Sequence, residues 1–236
     1  MNIAYDQDGI LILHGDCRDL MTRLEPQSVD VILTDPPWPG CEQPFPGSDD
    51  PYALFYQAAK DFPLVLRKDG RVMIWLGSNC DPRFLSSVPN SLPFLRTIWL
   101  KRIPPSYQGT ILSGNECVYV FGKGWLADNG KRLLPGEYVM ASRGYRDSDN
   151  PHPTPRHYKA ALWLIANYSR EGQTIFDPFM GSGTTLVAAR AAGRKAIGID
   201  VREDYIEIAI KRLRQRVLPL PTEEVAACPE LAMKLD

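Results

Sequence analysis

Thr174-Ile175-Phe176-Asp177-Pro178-Phe179-Met180-Gly181-Ser182-Gly183-Thr184-Thr185 joins a short apolar run to the alanine-rich segment Leu186-Val187-Ala188-Ala189-Arg190-Ala191-Ala192-Gly193. The first run has the length of a buried strand, and the second reads as a helix ended by glycine. Gly181 and Gly183 let the backbone turn sharply and approach a ligand closely. Thr184 and Thr185 are placed to cap the helix, whose first N–H groups then face that ligand. The turn lacks the lysine of a phosphate-binding loop, and Asp177 just ahead of it departs from the Gly-x-Gly-x-x-Gly pattern of dinucleotide sites. An acid there suits an ammonium or a hydroxyl. The next apolar run, Lys195-Ala196-Ile197-Gly198-Ile199-Asp200, also ends in an acid, at the position from which open parallel sheets bind ribose hydroxyls.

A second acid closes a strand far upstream. Val29-Asp30-Val31-Ile32-Leu33 runs into Thr34-Asp35-Pro36-Pro37-Trp38. Proline cannot donate to a ladder and steers the preceding residue away from helix, so Asp35-Pro36-Pro37 leaves the strand as a stiff loop. Such a loop fixes the Asp35 carboxylate and nearby carbonyls as acceptors beside an indole, Trp38, that can stack on a flat ring. Alone, the same five residues could be a proline-rich turn with a half-buried tryptophan.

Together the two stretches resemble the amino-group DNA methyltransferases that use S-adenosylmethionine, in the permuted class whose catalytic motif precedes its cofactor motif. Methyltransferases acting on glutamine or ribosomal RNA carry a similar motif after the glycine loop, whereas here Asp35 lies far ahead of Gly181. The resemblance extends over most of residues 3 to 216. It takes in His14-Gly15-Asp16, Trp99-Leu100-Lys101-Arg102, the run from Gly114 to Gly124, and His152-Pro153-Thr154. The family usually continues that last motif with Gln-Lys-Pro, where this chain has Pro155-Arg156-His157.

The resemblance implies an α/β, Rossmann-like methyltransferase fold, with a mostly parallel central sheet, helices on both faces and an antiparallel strand pair. It implies a catalytic set of Asp35, Pro36, Pro37 and Trp38 acting on the amine of a flipped base. For S-adenosylmethionine it implies Asp177, Pro178, Phe179, Gly181, Ser182, Gly183 and Thr184 around the methionine part, with Asp35 alongside. His152 and Thr154 close the methionine end, Asp200 takes the ribose hydroxyls, and Asp16 lies near the adenine amine while also suiting a helix N-cap. In this family Asp at the first motif position leans toward adenine N6 and Ser toward cytosine N4, so Asp35 favours adenine. DNA is the expected partner and RNA the alternative, with a link to restriction-modification. A Rossmann-like oxidoreductase is the rival from another class.

The 236 residues fit one domain, residues 1–217, followed by a tail at 218–236, and the irregular stretch 122–156 is a candidate target-recognition region. No segment has the length of an apolar membrane span, and there is no secretory leader pattern, so a cytoplasmic monomer or homodimer is expected. Five scattered cysteines and three dispersed histidines argue against a disulfide framework and against a metal site. A net charge of −1 gives no general attraction to nucleic acid. Between the motifs, however, Lys101, Arg102, Lys123, Lys131, Arg132, Arg143, Arg146, Arg156 and Lys159 interleave with Tyr107, Trp125, Tyr138, Tyr145 and Tyr158. That mixture is read either as a nucleic-acid groove or as solvated loops. The run from Lys211 to Arg216 reads as cations complementing a helix C-terminus.

The expected strands are 10–14, 29–34, 71–76, 95–100, 116–121, 174–177 and 195–200. Helices are expected at 17–24, 52–66, 156–168, 184–192 and 203–215, and a loop at 102–109.

Overall fold

The computed structural model describes residues 2–39, 49–77, 80–108, 111–122, 134–141 and 156–215. Its strands are β1 (Ile3–Gln7), β2 (Ile10–His14), β3 (Val29–Thr34), β4 (Leu66–Leu76), β5 (Phe94–Gln108), β6 (Ile111–Gly122), β7 (Glu137–Ala141), β8 (Thr174–Asp177) and β9 (Lys195–Asp200). Its helices are α1 (Cys17–Leu20), α2 (Pro51–Ala59), α3 (Phe62–Val65), α4 (Tyr158–Tyr168), α5 (Thr184–Ala191) and α6 (Glu203–Arg214). The strands form one nine-stranded sheet in the order β1-β2-β9-β8-β3-β4-β6-β5-β7. β2, β9, β8, β3 and β4 are parallel to one another, and β6 pairs antiparallel with both β4 and β5.

The apolar runs are continuous because both faces of the sheet are covered. On β4, Met73 and Trp75 join the core beneath α4, α5 and α6, while Val72, Ile74 and Leu76 join the core against α1, α2 and α3. Gly198 on β9 brings α5 close: a β-carbon there would lie 2.5 Å from Met180 Sδ and 2.8 Å from Leu186 Cδ2.

β8 and β3 are neighbours, pairing Val31 with Ile175 and Ile32 with Phe176. Strands remote in sequence therefore bring Asp35 and Asp177 to one edge of the sheet. The expected mostly parallel sheet with an antiparallel pair is present.

Several boundaries differ from the sequence expectation. The expected helix 52–66 is two helices, because Pro63 opens a new first turn in α3, and Leu66 already starts β4. The expected helix 17–24 is α1 followed by a 3-10 turn at Met21–Arg23. β1 is an additional strand; it turns into β2 through Asp8 and Gly9, both with positive φ (53° and 77°), as a tight hairpin requires. The segment 102–109 is no simple loop, since β5 continues to Gln108 with an irregularity between Lys101 and Ser106, around Pro104 and Pro105, which have no N–H to give. Within the stretch expected to be irregular, β7 pairs parallel with β5, and Met140 is buried while Glu137 and Val139 face outward. The tail lies outside the described residues.

Candidate active site

At the C-terminal ends of four adjacent parallel strands, β2, β9, β8 and β3, stand Asp16, two residues past β2, Asp200 and Asp177, the last residues of β9 and β8, and Asp35, just past β3, on the edge where open α/β sheets bind ligands. Starting at β2, Asp16 is the N-cap of α1: its side chain accepts from the Arg18 N–H at 2.9 Å. The Arg18 guanidinium also grips Asp16, with Nη2 2.5 Å from Oδ2, and these bonds hold the carboxyl below its ordinary range. Arg18 in turn donates to Gln57 on α2 at 2.9 Å. The N-cap role read from the sequence is therefore present.

Asp200 organises the glycine turn. Its Oδ2 accepts from the Gly181 N–H at 2.8 Å and its Oδ1 from the Arg202 N–H at 2.9 Å. Burial raises its pKa, and the two backbone donors oppose that rise. Gly181 and Gly183 have φ of 51° and 77°, the left-handed region where a side chain is strained. Gly183 is also pressed against α6, since a β-carbon there would lie 2.7 Å from Ala209 Cβ.

The threonines do not cap α5 as expected. Gly183 occupies the N-cap position without a side-chain bond, so Thr184 and Thr185 lie inside the first turn with their hydroxyls directed elsewhere. Thr184 Oγ1 accepts from Arg212 Nη1 at 3.1 Å, and the same guanidinium nitrogen donates to the Ser182 carbonyl at 2.6 Å. Arg212 is buried (6 % exposed) and reaches from α6 beneath the glycine turn, so it is more than a cation at a helix end. Ser182 and Thr184 are buried with it, as are Pro178 and Met180.

The carboxyl of Asp177 is buried and receives Thr34 Oγ1 at 2.8 Å, the Phe179 N–H at 3.1 Å and the Thr185 hydroxyl. Burial outweighs these donors and pushes its pKa up to about 7. Thr34 directly precedes Asp35, so this bond ties the two sequence motifs together.

Asp35 and Trp38 are partly buried and Pro36 is buried. Both Asp35 oxygens are taken by Arg156, from Nε at 2.6 Å and from Nη2 at 2.5 Å. Burial raises the Asp35 pKa and neighbouring Glu116 adds to the rise, while Arg156 pulls it down. The Arg156 guanidinium carbon lies 5.1 Å from the Trp38 ring centroid and 5.6 Å from that of Trp75. Arg156 Nη1 is 3.2 Å from Glu116 Oε2, an oxygen that also receives the Trp75 indole N–H at 2.5 Å. Arg102 pairs with the other Glu116 oxygen. Trp38 rests against Gly77, where a β-carbon would come within 2.4 Å of its Cη2.

His152 and Thr154 lie outside the described residues. So do Lys123, Trp125, Lys131, Arg132, Arg143, Tyr145 and Arg146 of the expected groove. The side chain of Tyr107 is likewise outside the described ones, and five of the remaining members are placed differently from one another. Lys101 pairs with Glu137, Tyr138 packs 5.1 Å from Trp163, Tyr158 is partly buried against the core, and only Arg102 and Arg156 join the network at Asp35. Glu116, Trp75 and Arg212 were not legible as site residues. Their signals were a lone acid and a lone indole in apolar runs, and one arginine among several. Among the described residues, no group of three or more His, Cys, Asp or Glu is placed to hold a metal ion. Within the same residues, no helix is long and apolar enough to cross a membrane.

Comparison with known proteins bears on the family and the fold. A family profile described as DNA methylase, of the N6/N4 methyltransferase type, matches residues 52–211. A putative methylase of Escherichia coli (strain K12), YubD, is 30 % identical over 213 residues, covering 85 % of this chain and 88 % of that protein. The type II methyltransferase M.HinfI of Haemophilus influenzae is 27 % identical over 259 residues, covering 90 % of this chain and 70 % of its own length. The crystal structure of M1.HpyAVI in complex with S-adenosylmethionine superimposes with a TM-score of 0.67 at 24 % identity, covering 87 % of this chain and 100 % of that one. The cytosine-N4-specific PvuII DNA methyltransferase reaches 0.71 at 14 % identity, covering 95 % and 93 %. At those identities the two structures establish the fold. With the profile spanning most of the chain and a relative at 30 % identity, the chain belongs to the S-adenosylmethionine-dependent N6/N4 DNA methyltransferase family.

Proposed function

We propose that this chain methylates the exocyclic N6 of adenine in DNA, with Asp35, Pro36, Pro37 and Trp38 as the target-base site. The reading rests on one observation above the others: Asp35 at the end of β3 adjoins Asp177 at the end of β8, the two joined by the 2.8 Å bond from Thr34. An amine at Asp35 and a ligand at Asp177 are then immediate neighbours.

The residues present fit S-adenosylmethionine. The buried Asp177 carboxyl, the partly buried Asp200 carboxylate and the glycine turn offer acceptors and a close backbone approach to a ligand bearing an ammonium and ribose hydroxyls. Asp177, Pro178, Phe179, Gly181, Ser182, Gly183 and Thr184 would hold its methionine part, Asp200 its ribose and Asp16 its adenine. When bound, it supplies an electrophilic methyl group on a sulfonium.

The chain must make a poor nucleophile attack. The lone pair of an aromatic amine is delocalised into the ring until its two N–H bonds are held by acceptors that favour a tetrahedral nitrogen. The Asp35 carboxylate and the Pro36 carbonyl serve as those acceptors, and the carboxylate offsets the positive charge that develops on nitrogen. Once the N–CH3 bond has formed and the S–CH3 bond has broken, the nitrogen loses a proton through the Asp35 oxygen that held it. A duplex buries this amine, so the base flips out and stacks on Trp38. Asp at the first motif position supports adenine over cytosine N4.

Sequencing host DNA after expression, with the Asp35→Ala variant as control, tests the proposal. N6-methyladenine in a defined context, absent with Asp35→Ala, is the expected result. N4-methylcytosine alone would overturn the choice of base, and full modification by Asp35→Ala would overturn the role of Asp35. In purified protein, Asp35→Ala should lower kcat by about a hundredfold or more while cofactor affinity is largely kept.

A further inference from the structure

Arg156 meets, within the chain itself, the two demands made of a target base: flat N–H donors on Asp35 and a planar face near Trp38. A base stacked on Trp38 with its amine on Asp35 needs the space this guanidinium fills. From these contacts we infer that Arg156 is a stand-in for the target base, which gates the site by occupying Asp35 and yields its place when a base enters, moving onto Glu116. The inference rests on the proposed role of Asp35 as the amine's acceptor.

The displaced side chain has somewhere to go. Its Nη1 already lies 3.2 Å from Glu116 Oε2, so the guanidinium can leave Asp35 without losing a carboxylate partner. That matters in a pocket where Arg156 is 19 % exposed, because a partly buried cation stripped of its partner would be strongly destabilised. Glu116 is held in place by the Trp75 indole and by Arg102, and Arg102 is 37 % exposed and so open to an anion arriving from solvent. Withdrawal of Arg102 toward a phosphate frees one Glu116 oxygen for Arg156.

The backbone position also suits a moving part. Arg156 stands one residue ahead of His157, the N-cap of α4, so its side chain can swing without unwinding the helix. Arginine does this better than the lysine usual in the family, because its planar fork meets a carboxylate bidentately and packs on an indole at the same time. The gate is thermodynamic. A site whose competent form is only partly populated binds its substrate more weakly by that fraction.

The test measures methyl transfer from radiolabelled S-adenosylmethionine to unmethylated bacterial chromosomal DNA. Incorporation by the wild type that is lost in Asp35→Ala is the control; incorporation retained by Asp35→Ala defeats the functional reading on which the gate depends, and it does so separately from the gate. The gating variants are Arg156→Lys and Arg156→Gln. Both should lower the KM for DNA by about fivefold or more, since the occupant is weakened or gone. Arg156→Lys should keep the wild-type pH–rate profile, whereas Arg156→Gln should move its acidic limb up by about one unit, because burial and Glu116 then raise the Asp35 pKa with no guanidinium on Asp35 to oppose them. A raised or unchanged KM with kcat reduced alike in both variants would overturn the inference, making Arg156 a base contact or a structural strut. If Arg156→Gln melts before assay temperature, the KM of Arg156→Lys decides.

Discussion

Asp177 is buried at the end of β8 with its carboxyl pushed up to about 7, so near neutral pH it is present as both acid and carboxylate. Only the carboxylate attracts an ammonium, and binding of S-adenosylmethionine should therefore release a proton. Affinity should strengthen about tenfold from pH 6 to pH 8, and Asp177→Asn should bind weakly with a flat profile; calorimetric titration in buffers of different ionisation enthalpy reads both effects. The sign for folding is opposite. Because the folded pKa lies above the ordinary 3.8, the stabilising contribution of the protonated form is complete below that value and is lost as pH rises through about 7. At Gly77 the issue is space, since a methyl group there would come within 2.4 Å of Trp38 Cη2. Trp38 is partly exposed and can shift, so Gly77→Ala should leave the melting temperature within a few degrees while raising the KM for DNA several-fold. Steady-state kinetics beside a thermal melt checks this.

Between elements, α6 supports the glycine turn through Arg212, whose guanidinium carries the Ser182 carbonyl and the Thr184 hydroxyl. Arg212→Met keeps the stem and removes the donors, leaving a buried carbonyl without that partner. It should cost about 1–3 kcal/mol and weaken cofactor binding more than tenfold, as denaturant unfolding and calorimetry would show. A neighbouring constraint lies on β9. Gly198→Val places atoms where Met180 and Leu186 already sit and should destabilise by about 1–3 kcal/mol. These supports explain what the sequence could and could not reveal. Asp35 and Asp177 were legible because each ends an apolar run just ahead of a proline, and Asp200 because it closes the next apolar run, so local pattern alone puts all three at strand ends. Arg212 was not, since its position among Lys211, Arg214 and Arg216 is that of a solvated helix end, and only the packing of α6 turns it inward. β7 was hidden for a similar reason: Glu137 to Ala141 lies in glycine- and proline-rich surroundings and gains its strand character by pairing with β5, a contact absent from any local window.

At the scale of the molecule, 27 basic and 28 acidic residues give no net positive charge to gather DNA, so affinity is expected from a few local contacts. A plot of log affinity against log salt should then have a slope of magnitude about 5 or less, which filter binding at several ionic strengths would measure; a steeper slope would reveal a larger basic surface than the described residues contain. The permuted order of the chain makes the sheet the device that assembles the site. β3 and β8 are far apart in the sequence, and the pairing of Val31 with Ile175 sets the spacing of Asp35 and Asp177 at their C-terminal ends. The single bond from Thr34 to Asp177 has a consequence of its own. On the proposed roles of Asp35 and Asp177, it is the link through which occupancy of one half of the crevice enters the free energy of the other, and such a term works in both directions. Whatever factor a bound cofactor contributes to the grip on DNA, bound DNA must return undiminished to the grip on the cofactor, so the order in which the two arrive cannot alter the stability of the ternary complex.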